Sequence, residues 1–209
     1  MVIGAYDAEY PRVRHLIKGL HEIEYQIWQW NIRCQLALQI LRFIHRLPRI
    51  IGDAIKSDFI LVPYPGWRMV FFAKIVSILS GKPLVFDAHI SNYNTRVEDR
   101  KTVAPSSYRA IYEWLLDKVT CTLSDIVLID TYAHGSYFNR RFNLSSNKIV
   151  RVFVGVDPRI HRKIDESDIQ FERPLIYFYG TFIPLQGVLY ILDALAIVKE
   201  RGYRFNFSK

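Results

Sequence analysis

The stretch "YGTFIPLQG" (179–187) has the composition of a phosphate-cradling turn: an apolar run before it, Gly180 and Gly187 at its ends, and helical periodicity after it. Glycine lets a backbone approach a ligand closely, and a following helix offers unpaired N–H groups at its positive end. The chemistry implied is the binding of an anion. Polar residues also gather where two other apolar runs stop. "MVIGAY" (1–6) ends at Tyr6 and leads into Asp7, Tyr10 and Arg12, and "KPLVFDAH" (82–89) ends in Asp87 and His89. Turn chemistry explains the first group as well as ligand contact does, and Pro11 fits a turn. Read alone, His89 is a polar residue at a strand end, and Asp87 either orients it or caps the loop. The six His are scattered without H-x-x-x-H spacing, so no metal site is expected. Cys34 and Cys121 form no C-x-x-C pair and read as reduced, buried thiols.

Short apolar runs alternate with longer helical periodicity along most of the chain. Strands are predicted over 1–6, 25–30, 58–64, 82–89, 125–130 and 148–154. Helices are predicted over 11–23, 32–47, 67–81, 107–123 and 131–142. In 32–47 the apolar stripe is Ile32, Leu36, Ile40, Phe43, Ile44 and Leu47, flanked by Arg33, Arg42 and Arg46. This rhythm predicts right-handed β-α-β units and a mostly parallel sheet, with ligands bound beyond the carboxyl ends of the strands. Residues 158–173 are charged, carry Pro158 and no sustained apolar period, and read as a linker. Beyond them, 174–180, 187–202 and 203–207 form one further strand–helix–strand unit. Such a lone unit must pack on something else.

Of the 209 residues, 50% are hydrophobic and 23% charged, which suits a globular protein and excludes a disordered one. A formal charge of +8 favours an anionic partner, whether a phosphate ligand, a membrane surface or nucleic acid. No base-reading motif supports nucleic acid. No basic start precedes an apolar run at the N-terminus, and no apolar run reaches the roughly 20 residues that span a bilayer. The expectation is a cytoplasmic protein, with peripheral contact at the inner membrane face as the alternative. Arg42, Arg46 and Arg49 beside an apolar stripe would serve such contact, but a surface helix with its stripe in the core is the better account of them.

"RVFVGVD" (151–157), followed by "LIYFYGTFIPLQGVLYILDALAIVKERG" (175–202), resembles the family-4 retaining glycosyltransferases of GT-B architecture. "GAYDAEYPRVRHLIKGL" is similar to that family's first-strand acceptor loop, and "FDAH" to the D-x-H tip of a later strand. "LIDTYAHGSYFNRRFNLSSNKIVRVFVGVD" is similar to its final N-domain segment. The resemblance covers nearly the whole chain. It implies a Rossmann-like GT-B N-terminal, acceptor-side domain over 1–157, the linker 158–173, and an incomplete second Rossmann-like domain, the start of the nucleotide-sugar-binding half, over 174–209.

The resemblance also implies roles. His89 is the N-domain histidine that touches the transferred sugar. The donor diphosphate lies on Gly180, Thr181, Gln186 and Gly187, and the acceptor approaches Tyr6, Asp7, Tyr10 and Arg12. No metal cofactor is implied, and the substrates are a nucleotide-sugar donor and a glycan or lipid-linked acceptor. Two departures stand out. Many members of that family carry Arg where this chain has Thr181 and Lys where it has Gln186. The family's acidic nucleotide-binding segment lies further on than Lys209. The resemblance therefore implies retaining hexosyl transfer by an incomplete enzyme. Its rival is a non-catalytic subunit that binds an acceptor, a membrane or a polypeptide supplying the other half.

Overall fold

A computed structural model describes residues 1–32, 36–156, 173–180, 182 and 186–208. The expected alternation is present. In chain order the larger unit holds β1 (Val2–Gly4), α1 (Pro11–Glu22), β2 (Gln29–Asn31), α2 (Leu36–Ile55), β3 (Ile60–Val62) and α3 (Trp67–Ser80). It continues with β4 (Leu84–His89), α4 (Tyr108–Leu123), β5 (Ile126–Ile129), α5 (Tyr132–Phe142) and β6 (Ile149–Arg151). The six strands form one wholly parallel sheet in the order β2-β1-β3-β4-β5-β6.

Period-two alternation divides the core between the two sheet faces. Ile3, Ile60, Val62, Leu84, Phe86, Val127 and Ile129 pack in one cluster with Phe43 and Ile50 of α2, Val70 and Ala73 of α3, and Phe138 of α5. Their neighbours Val2, Leu61, Val85 and Leu128 join Val13 of α1 on the other side. Pro11 opens α1, where its missing N–H costs nothing. Gly66 is required before α3, because a Cβ there would stand 2.5 Å from the Pro63 carbonyl oxygen.

One element departs from the sequence reading. Periodicity placed a helix over 32–47, but α2 runs on through Pro48 to Ile55. An interior proline removes one helical hydrogen bond and costs about 3 kcal/mol. Phe43 and Leu47 on one side, with Ile50 and Ala54 on the other, are packed at helical spacing and hold both halves against the sheet. Of the expected stripe, Ile40 and Ile44 are exposed instead. Arg33 and Cys34 lie outside the described residues, while Cys121 is a buried free thiol.

A second unit comprises β7 (Leu175–Tyr177), α6 (Val188–Glu200) and β8 (Asn206–Ser208), with β7 and β8 parallel. No residue of α6 is buried, and Leu189 and Tyr190 are 75% and 81% exposed. The linker predicted over 158–173 lies outside the described residues except for Arg173.

Candidate functional site

The sheet order turns at β1, which pairs with β2 on one side and β3 on the other. A crevice opens beyond the strand ends at such a switch point. Residues from three neighbouring strand ends meet there: Tyr10 after β1, Tyr64 after β3, and His89 at the end of β4. The ring centroids of Tyr10 and Tyr64 are 5.4 Å apart, and Tyr64 packs edge-on to His89 at 5.1 Å and to Trp67 at 5.3 Å. The result is an aromatic wall with an imidazole at its inner end.

His89 sits in an uncommon conformation. Its φ is +57°, in the left-handed region, and the pairing of β4 with β5 is irregular between Asp87 and His89. The strained backbone turns the side chain off the strand's alternation. The side chain is 11% exposed and its Nδ1 is buried without a hydrogen-bond partner, 3.9 Å from Asp130 Oδ2. Burial, reinforced by the Arg12 charge and opposed by Asp130, pushes the imidazole down to about 4. It is therefore neutral at pH 7, able both to donate and to accept a hydrogen bond.

Asp130 and His134 complete the cluster. Asp130 directly follows β5, and His134 lies in the first turn of α5, whose N-terminus Thr131 caps by accepting the His134 N–H. His134 Nδ1 is 2.5 Å from Asp130 Oδ1. Burial pushes the Asp130 carboxyl up, but the His134 hydrogen bond and the adjacent imidazoles outweigh it and hold it below its ordinary range. The sequence reading missed this pair. The signal was the i, i+4 spacing of "DTYAH" (130–134) directly after an apolar strand.

The expected acceptor-side residues do not all face the crevice. Arg12 is 2% exposed and Asp87 is fully buried. Arg12 Nε donates to both Asp87 oxygens at 2.8 and 2.9 Å, and Nη2 donates to Oδ1 at 2.7 Å. Arg12 Nη1 donates to the Val152 carbonyl at 2.8 Å. The Asp87 carboxylate is thus engaged by Arg12 and by the Tyr64 backbone N–H in the loop after β3. Tyr6 is buried, its hydroxyl donating to Gln29 Oε1 at 3.1 Å, and burial pushes that hydroxyl up to about 12. Asp7 is a turn residue whose Oδ1 accepts the Glu9 N–H. Tyr10 is the one of the four whose ring packs against Tyr64.

In the second unit, Gly180, Gln186 and Gly187 come together before α6. A Cβ on Gly180 would collide with the Gln186 amide, and Gly187 adopts φ +59° as the residue preceding the helix. Thr181 lies outside the described residues. Among the described residues no group of three His, Cys, Asp or Glu side chains could hold a metal ion, and no helix is long and apolar enough to cross a membrane.

No protein-family model matches the chain, and no curated protein matches it in sequence. Solved structures do. The crystal structure of HepE from Anabaena in complex with UDP and glucose superposes on 93% of this chain and 49% of its own, with a TM-score of 0.52 and 15% identity. The same protein in complex with UDP-glucose covers 88% of this chain and 47% of its own, with a TM-score of 0.49 and 17% identity. The chain spans about half the length of these structures. This is a parallel α/β protein with a Rossmann-like sheet, and it shares that fold with HepE.

Proposed function

We propose that the chain forms the acceptor-side half of a retaining hexosyltransferase, with a nucleotide-sugar as donor, together with the first strand–helix–strand of the donor side. The observation that carries this reading is His89: a strained, unpartnered, neutral imidazole at the switch-point end of β4, walled by Tyr64 and Tyr10. Backbone strain and an unsatisfied buried nitrogen both cost stability, and such costs concentrate where ligands bind. A neutral imidazole suits a sugar hydroxyl, and aromatic rings suit the apolar face of a sugar ring. HepE, which shares the fold, is described in complex with UDP and glucose, and this supports a nucleotide-sugar as the ligand class.

On this reading the donor diphosphate rests at the start of α6. Bond breaking places negative charge on that diphosphate, and N–H groups aimed at it stabilise the transition state. Gly180 and Gly187 give close backbone approach, while the Gln186 and Thr181 side chains supply neutral donors where a basic residue would supply charge. UDP affinity for the full chain should therefore fall about tenfold on Gln186→Ala, the loss of one good hydrogen bond to a charged group. Isothermal titration reads this directly, and an unchanged affinity would remove the diphosphate from this loop.

A second reading is favoured by α6, none of whose residues is buried. Exposed apolar surface on this scale marks an interaction face. The chain would then act as an acceptor-binding subunit whose β7–α6–β8 unit docks on a partner polypeptide. Sedimentation should show self-association that disappears when residues 174–209 are deleted. A monomeric full chain would count against an apolar docking face.

A further inference from the structure

Residues 90–106 look like a featureless polar loop in the sequence, yet with the start of α4 they build a basic wall beside His89. The loop is pinned by Asp117, a fully buried residue of α4. Ser91 Oγ and the Tyr93 N–H donate to Asp117 Oδ2 at 2.7 and 2.9 Å. Ser91 in turn accepts the Asn94 N–H on its hydroxyl at 2.9 Å and the Thr95 hydroxyl on its carbonyl at 2.8 Å. The chain then makes a π-helical turn over Asn94–Asp99, a widened geometry that recurs at functional sites. Arg96 lies on that turn and Arg100 directly follows it.

Glu113 of α4, 2% exposed, holds two guanidiniums in place. Arg96 Nη1 and Arg109 Nε donate to its Oε1 at 3.0 and 3.3 Å. Both guanidiniums line a cavity of about 530 Å³, together with Tyr64, Asn92, Arg100 and Thr102. Three guanidinium charges face one carboxylate, and Arg100 has no acidic partner among the described residues. Tyr64, which lines this cavity, is the ring packed edge-on against His89. The two sites thus share a wall.

We infer that this cavity binds the phosphoryl group of the acceptor and holds it beside His89. The donors around it, three guanidiniums with an amide and a hydroxyl, exceed the roughly four lone-pair sites of a carboxylate. They suit the oxygens of a phosphate, which Arg binds bidentately. The inference rests on the proposed transferase reading for the word acceptor; the anion site itself rests on the cavity alone.

The test is titration of the full chain with inorganic phosphate at low ionic strength, alongside Arg100→Gln, Arg109→Gln and a control, Lys56→Gln, an exposed residue just after α2. Each cavity variant is expected to weaken phosphate about tenfold, and the control to leave it unchanged. Equal affinity across all four proteins would overturn the proposal. Parallel arms with glycerol 3-phosphate and with phosphatidic acid vesicles separate a soluble phosphoester from a lipid headgroup. Arg-dependent binding in either arm supports the site. If UDP displaces phosphate and loses affinity in Arg100→Gln, the cavity belongs to the donor and the acceptor assignment is overturned. If phosphate binding is Arg-dependent but UDP-glucose never reaches His89, the anion site stands and the transferase reading fails.

Discussion

Replacing Arg12 by methionine should lower the free energy of unfolding by about 3–5 kcal/mol, the cost of leaving one member of a buried ion pair alone. Asp87 is fully buried and receives three guanidinium hydrogen bonds, so removing Arg12 strands a desolvated carboxylate in the sheet. Arg12 also ties three segments together: α1, the end of β4 through Asp87, and the segment after β6 through the Val152 carbonyl. These segments frame the crevice, so the variant should also weaken binding there. The double variant Arg12→Met/Asp87→Leu should recover most of the loss, because an apolar pair of similar volume often replaces a buried ion pair without penalty. Urea unfolding of the three proteins decides it. A single variant within about 1 kcal/mol of the parent, the size of a surface pair, would contradict the assignment.

The second large effect concerns His89, where strain and depressed basicity coincide. Asparagine tolerates the left-handed conformation better than most residues and carries no titrating ring. His89→Asn should therefore fold at least as stably as the parent near pH 7. Its response to acid should differ. The folded imidazole titrates at about 4 and the unfolded one near the ordinary 6.5, so between these values the unfolded state binds more protons. Stability from this group is then complete above about pH 6.5 and declines as pH falls toward 4, by about 2–3 kcal/mol in all. His89→Asn should flatten this limb of the stability profile. Equal acid slopes in the two proteins would mean that the imidazole is not held neutral by burial.

Much of the architecture was legible because it rests on local pattern. The apolar run in "KPLVFDAH" (82–89) marked β4, and Pro11 marked the start of α1. The end of α2 was not legible, since Pro48 is a stop signal that only tertiary burial of Ile50 and Ala54 overrides. At the site, the D-x-H tip drew attention to His89, but its left-handed φ depends on the β4–β5 pairing and is invisible in the chain. Arg12 read as an acceptor-side residue and Asp87 as a partner for His89 or a loop cap, because each stands where an apolar run stops. Their mutual pairing spans 75 positions, a separation at which sequence pattern carries no signal. The basic cavity was hidden in part for a similar reason: Arg109 meets Glu113 one turn along α4, but Arg96 reaches the same carboxylate only because the 90–106 loop folds back onto that helix.

The central claim is that sugar is handled at the switch-point end of β4. The direct measurement is nuclear magnetic resonance of the full chain with ¹⁵N-labelled histidines, titrated with UDP and then with UDP-glucose. The expected result is a shift of the His89 imidazole signals with UDP-glucose that UDP alone does not produce, absent in His89→Asn, while His45 on exposed α2 stays fixed. Binding of UDP-glucose with the His89 signals unmoved would contradict the claim.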